Sequence, residues 1–343
     1  MRLIEKVWFE QHSAKFYLVP LLLPFTGLFW LISRARKLLY HLNIKHKQAL
    51  DCPIVVVGNI GVGGNGKTPV VIYLVEQLKA QGIKVGVISR GYGSKAETYP
   101  YVLTDASIAT ESGDEPLLIY RRCKVPVAVG VDRIAAANRL ISQGCQIIIS
   151  DDGLQNYALA RDYEICVIDS KRLFGNGLLL PSGPLREGIS RLNSVDHVIF
   201  NGKIDDAPIS TVNIMTVFQT MTLQGTRICN VLTGEYIQLS TFVKQHQTVD
   251  AIAGIGNPSR FFNYLLELGF ILRQQQGFAD HKAYYADELK GFTADIPLLM
   301  TEKDAVKCHT FGEKNWWYLP VDAEFMGNDN NILLNDILQL LQK

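Results

Sequence analysis

Paired cysteines are missing from this 343-residue chain. Its six cysteines (Cys52, Cys123, Cys145, Cys166, Cys229, Cys308) stand singly and make no C-x-x-C pair and no zinc-type Cys/His cluster. Structural zinc and a disulfide framework are therefore not expected, and reduced cytosolic thiols are. Net charge is also scarce, at +1, which excludes a molecule that binds polyanions as a whole and gives no reason to expect nucleic acid. Acids are nearly absent from the first 50 residues, which hold eight Lys/Arg and two Glu, while the remainder is net −5.

The apolar stretch FYLVPLLLPFTGLFWLI, Phe16 to Ile32, runs without a charge. As a helix it would span ~26 Å at ~1.5 Å per residue, just under a hydrocarbon core of ~30 Å. Aromatic residues flank it (Trp8, Phe9, Phe16 and Tyr17, then Phe29 and Trp30), and Arg34, Arg36, Lys37, Lys45 and Lys47 follow without an acid among them. No small-x-small site follows, so a cleaved signal peptide is not expected. The segment could lie in a membrane interface, span a membrane or serve as a core helix. Aromatic placement and basic flank favour membrane attachment. Pro20, Pro24 and the short length favour a segment that lies in or partly inserts. If it spans, the basic side should be cytoplasmic.

GNIGVGGNGKTP, Gly58 to Pro69, contains the G-x-x-x-x-G-K-[ST] phosphate-loop pattern. Gly61, Val62, Gly63, Gly64, Asn65 and Gly66 would present backbone N–H groups to an anion, and glycines permit the curl because they lack a Cβ. Lys67 would reach the β- and γ-phosphates, and the Thr68 hydroxyl would ligate Mg²⁺. The buried-strand run PIVVVG precedes the loop, and a helical apolar spacing (Val70, Val71, Leu74, Val75, Leu78) follows it.

Further strands end in polar loops, where open α/β sheets bind ligands. IKVGVIS leads to RGYG, and QIIIS leads to Asp151-Asp152, a Walker-B arrangement for Mg²⁺. SGDEP sets Asp114 and Glu115 side by side, which could also be a plain helix start. The Gly/Pro-rich loop from Gly175 to Gly188 carries Arg186, which could neutralise a transferring phosphoryl group. From about Asn201 the α/β pattern begins again, without a second Gly-Lys-[ST]. QGFADH places Asp280 and His281 in a loop, and an amphipathic helix closes the chain. The expected fold is α/β. It has a mostly parallel P-loop sheet with flanking helices (51–205), a smaller α/β domain (206–343) and a membrane-associating segment (1–50).

A phosphate loop does not choose a function. A GTPase would need N/T-K-x-D after a strand, and TEKD (Thr301 to Asp304) has its lysine one place late. Motor and ABC-type signature elements are not seen. The loop acids, loop cations and histidine favour a phosphotransferase. A nucleotide-binding membrane module, or a kinase of another sugar or lipid acceptor, is the alternative.

Taken in order, GNIGVGGNGKTP, SRGYG, GDEPLLI, SDDGLQNY, RDYEICVID, GNGLLLPSGPLREG, FADH and MTEKDAVKC resemble the tetraacyldisaccharide 4'-kinase family of lipid A synthesis, over most of the chain from Pro53 to Cys308. The resemblance implies transfer of the ATP γ-phosphate to the 4'-hydroxyl of a lipid-linked glucosamine disaccharide 1-phosphate. It implies work at the cytoplasmic face of a Gram-negative inner membrane, with no obligate protein partner. It gives Asp114 as base and His281 as its orienting partner. Lys67 and the loop would hold phosphate, and Thr68, Asp151 and Asp152 would serve Mg²⁺ with Glu115 in support. Arg186, and then Arg133, would stabilise charge, and Tyr92 would neighbour adenine or ribose. The pattern departs from the family at Asn156 and Lys282, where many members carry His.

Overall fold

The computed structural model describes residues 3–10, 12–203, 215–293, 295–326 and 332–342. Two helices lead, α1 (Leu3–Phe9) and α2 (Lys15–His41). α2 runs unbroken through Pro20 and Pro24, about 40 Å at ~1.5 Å per residue. Only 6% of its most apolar stretch is buried, so it is no core helix; it is long and apolar enough to cross a membrane.

The large unit then forms from β1 (Ile54–Gly58), α3 (Lys67–Ala80), β2 (Val85–Ser89), β3 (Tyr101–Val102), α4 (Ala109–Ser112), α5 (Asp114–Cys123), β4 (Val127–Val129), α6 (Arg133–Ile141), β5 (Ile147–Asp151), β6 (Tyr163–Asp169), β7 (His197–Asn201) and β8 (Phe218–Gln224). The smaller unit follows as β9 (Arg227–Asn230), β10 (Tyr236–Gln238), α7 (Leu239–Gln245), β11 (Thr248–Ala253), α8 (Pro258–Glu267), β12 (Ile271–Gly277), β13 (Leu298–Thr301), α9 (Glu302–Cys308) and β14 (Trp316–Leu319). β15 (Asp322–Phe325) and α10 (Ile332–Leu340) close the chain.

The large sheet runs β15-β8-β7-β6-β1-β5-β2-β4-β3. Its neighbours pair in parallel except at the edges, where β3 and β15 are antiparallel. β1, β2, β5, β6 and β7 are buried at every residue, as a sheet covered on both faces requires. Val70, Leu74, Ile119 and Ile337 from α3, α5 and α10 fill one face, and Ala136, Ala137 and Leu140 from α6 fill the other. Each buried Val, Leu or Ile among them contributes about 1.5–3 kcal/mol over an exposed one. β1 stands between β5 and β6, so the loop after it opens at the switch point of the sheet.

The second sheet runs β10-β9-β14-β13-β11-β12. The expected change of unit at 205/206 lies outside the described residues. The sheets divide the chain by more than one crossing, because β8, β15 and α10 all join the large unit. α9 lies along α5. Arg122, in the last turn of α5, ties the two units. Its Nη1 donates to Glu302 Oε2 at 2.7 Å and to the Val321 carbonyl at 3.2 Å, and its Nη2 pairs with Asp322.

Candidate active site

The phosphate loop folds as its sequence requires. Gly66 caps α3 with φ +89°, and a Cβ there would sit 2.5 Å from Asn201 Nδ2. Only glycine meets both demands cheaply. Asn201 in turn donates to the Asn65 carbonyl at 3.1 Å, so β7 braces the loop from behind. The Gly/Pro-rich loop braces it from the front: Val62 N donates to the Pro184 carbonyl at 2.9 Å and Arg186 N to the Ile60 carbonyl at 2.7 Å.

Beside the loop, β5 delivers its two aspartates. Asp152 takes φ +48°, a left-handed conformation that costs a non-glycine residue of order 1 kcal/mol. It pairs with Lys67 Nζ at 3.5 Å and Arg186 Nη1 at 3.1 Å. Burial pushes the Asp152 carboxyl up, but these two cations outweigh it and leave it below its ordinary value. Asp151 is 1% exposed, and neither carboxylate oxygen has a hydrogen-bond partner. Burial first, and then the Glu115 charge, raise it to about 7. A buried, unpartnered carboxylate is costly unless a cation meets it. This donor set fits Mg²⁺, which takes one or two protein ligands and fills the rest with phosphate and water. Accordingly, no group of three or more His, Cys, Asp or Glu suited to a metal occurs among the described residues. Arg133, 4% exposed, donates to Ser150 Oγ at 2.7 Å and to the carbonyls of Asp151 and Asp152 at 2.8 and 3.3 Å. In this structure it buttresses the aspartate turn.

The second cluster assembles across the units. Gly113 has φ +86°, and a Cβ there would meet the Tyr92 carbonyl at 3.2 Å. This lets the RGYG turn sit against the start of α5, so Asp114 and Glu115 begin that helix at the sheet edge. His281 of the smaller unit faces them: its Nδ1 is 3.4 Å from Asp114 Oδ2. Its φ of +60° is another left-handed non-glycine conformation. Lys303 Nζ lies 3.5 Å from His281 Nε2. Asp280 Oδ2 lies 3.7 Å from the same Nε2, so each ring nitrogen faces a carboxylate, Nδ1 that of Asp114. Tyr92, exposed, has its ring 5.1 Å from that of His281.

Lys303, Lys307 and Asp280 are the site residues that sequence reasoning passed over. Lys303 Nζ bridges Glu115 Oε1 at 3.0 Å and Asp280 Oδ1 at 2.9 Å. Burial would lower its pKa, but the two carboxylates raise it well above the ordinary lysine value. Lys307 lies deeper, 2.9 Å from Asp304 Oδ1 and 4.0 Å from Asp114 Oδ2. One signal was available: Lys303 and Lys307 are four residues apart, on one helical face, directly after a buried strand.

A phosphate loop at a switch point, a Walker-B carboxylate pair and a carboxylate–imidazole pair at the same edge define a P-loop phosphotransferase. The family described as LpxK, tetraacyldisaccharide-1-P 4'-kinase, matches residues 18–342, and the chain belongs to it. The tetraacyldisaccharide 4'-kinase of Colwellia psychrerythraea is 57% identical over 98% of this chain and 97% of its own length. That of Vibrio cholerae serotype O1 is 47% identical, over 99% and 97%. Among solved structures, LpxK from Aquifex aeolicus in complex with ATP superposes with a TM-score of 0.79 at 26% identity, covering 94% of this chain and 99% of that one.

Proposed function

We infer that this chain transfers the γ-phosphate of ATP to the 4'-hydroxyl of a tetraacylated glucosamine disaccharide 1-phosphate, the 4'-kinase step of lipid A synthesis. Family membership supplies the substrate. The observation that carries the mechanism is the Asp114–His281 pair, which joins the two units at 3.4 Å.

In this mechanism the loop N–H groups from Gly61 to Gly66 and the Lys67 ammonium hold the β- and γ-phosphates. Thr68, Asp151 and Asp152 would hold Mg²⁺, with Glu115 in support; the ion, when bound, neutralises charge between the transferring and leaving oxygens. Arg186, now on Asp152, stands beside Lys67 to take phosphoryl charge. Asp114 accepts the proton of the attacking 4'-hydroxyl, and His281, which faces it through Nδ1, orients the carboxylate. Such transfer depends mainly on positioning and charge neutralisation. Tyr92 stands beside His281, on the acceptor side of this arrangement.

α2 supports a reaction at a membrane surface. Phe16, Leu21, Phe25, Leu28, Leu31 and Ile32 are exposed on it, and an acylated acceptor needs a catalyst docked where it resides. The basic residues that follow favour the cytoplasmic face.

The test is transfer of labelled γ-phosphate from ATP to the detergent-dispersed acylated disaccharide 1-phosphate. A labelled lipid is expected from the wild type, and a loss of at least 10²-fold from Asp114→Ala, within the usual range for a general base. His281→Ala should lower turnover far more than ATP affinity. Equal losses in both would refute cross-unit assembly of the base, and no labelled lipid from the wild type would refute the acceptor.

A further inference from the structure

Two buried polar atoms face each other 4.0 Å apart, Asp114 Oδ2 and Lys307 Nζ, and neither makes a well-aligned hydrogen bond. They come from different units, Asp114 from the first turn of α5 and Lys307 from the last turn of α9. The gap is about an ångström too long for a direct charged bond. Lys307 is 3% exposed, so bulk solvent does not reach it.

Its other neighbours hold the ammonium without saturating it. Asp304 Oδ1 is 2.9 Å away, and the Tyr284 ring centroid is 4.4 Å away. Asp304 already accepts from Tyr284 OH at 2.8 Å, Thr301 Oγ1 at 2.6 Å and Gly254 N at 3.0 Å. That carboxylate is fixed, and it fixes Lys307. An ammonium carries three donors, and here they are not consumed by Asp304.

We propose that Lys307 is a positioning residue for phosphoryl transfer: it donates to Asp114 Oδ2 as the two units close on substrates, leaving Oδ1 for the acceptor hydroxyl. His281 Nδ1 and Lys307 Nζ both approach Oδ2. Together they fix the carboxylate by one oxygen. A misplacement of about 1 Å at a reacting group can cost 10²-fold in rate, which sets the expected size of the effect. The inference rests on the reading of Asp114 as the base.

The experiment is a double-mutant cycle on the full-length protein with Lys307→Met, Lys307→Arg, Asp114→Asn and the Asp114→Asn/Lys307→Met pair. It reads kcat, KM for both substrates, ATP binding by calorimetry and the melting temperature. Lys307→Met should lower kcat about 10²-fold and leave the ATP dissociation constant within about 2-fold. Lys307→Arg should recover much of the loss. In the Asp114→Asn background, Lys307→Met should add less than about 3-fold, because residues acting through one another are non-additive. Asp304 keeps three donors in Lys307→Met, which favours a folded variant; should it not fold, Lys307→Gln carries the same cycle. Near wild-type kcat in Lys307→Met would overturn the proposal. So would a full multiplicative loss in the double variant, or a kcat loss that follows only the melting temperature. Wild-type turnover by Asp114→Asn would instead overturn the base reading, which the cycle reports separately.

Discussion

The loops after β1 and β11 share one grammar, strand to glycine-rich turn to helix, yet they meet different anions. The loop after β1 ends at Lys67, and Asp151, whose carboxylate oxygens have no hydrogen-bond partner, lies beside it. The loop after β11 turns inward: its Gly254 N donates to the fully buried Asp304 carboxylate at 3.0 Å. One loop is built for an anion that arrives from outside, while the other is closed by a carboxylate of its own chain. The loops also face each other, for a Cβ on Gly256 would lie 3.8 Å from Gly64 N. A glycine turn before a helix therefore says that backbone donors are available, and the side chains around it decide whether a ligand or the fold uses them.

Four measurements would break or sharpen that contrast. The largest effect is expected at the open loop. Lys67→Met should cost about 10³-fold in turnover with the melting temperature unchanged, and an equal loss of stability would mean that the open loop is also structural. At the closed loop the opposite is expected. Asp304→Ala, which strands Lys307, should destabilise by about 3–5 kcal/mol in denaturant titration, as for one partner removed from a buried ion pair; a stable variant would remove the contrast. A smaller effect belongs to Asp151 in metal-free, nucleotide-free protein. Its folded pKa of about 7 lies above its unfolded value of 3.8. The stability it contributes is complete below the unfolded value, is lost progressively as pH rises toward about 7, and then stays lost. Asp151→Asn should thus gain on wild type in melting temperature between pH 5 and 7, with no further gain above; a constant difference would contradict the buried, unpaired carboxylate. The smallest effect concerns a contact between the two units, behind the loops. Arg260 of α8 donates to Asp169 Oδ2 at 2.5 Å and reaches Asn201 Oδ1 at 3.4 Å. Its side chain is 39% exposed, so solvent screening limits Arg260→Ala to about 1 kcal/mol in stability.

What could be read from the sequence was local. The phosphate loop and the buried strands are each specified by neighbours in the chain. Asp114 and His281 were placed by resemblance, since nothing in their spacing brings residues so distant in sequence together. Lys303 and Lys307 were passed over because their partners lie across the α5–α9 interface: Lys303 meets Glu115, 188 positions away. TEKD was weighed as a poor guanine-reading motif and, within MTEKDAVKC, as part of the family resemblance, with no role given to its lysine; the register that makes that lysine late for a base turns it toward Glu115 and Asp280. β15 was illegible for a related reason. Its four residues carry no strong strand signal, and pairing with β8 makes them a strand.

The tie between α2 and the phosphate loop has a consequence of scale. Thr26 Oγ1 donates to Ser182 Oγ at 2.7 Å, and Trp8 Nε1 donates to the Pro181 carbonyl at 3.1 Å. Two residues on, Val62 N is held by the Pro184 carbonyl. Helix and phosphate loop are thus fastened to opposite ends of one short, rigid strut. If α2 rests on a lipid surface, the strut would act as a gauge that sets how far above the headgroups Lys67 stands. An acceptor sugar that projects too little or too much from the same surface misses the phosphate by its height, however well its own shape fits.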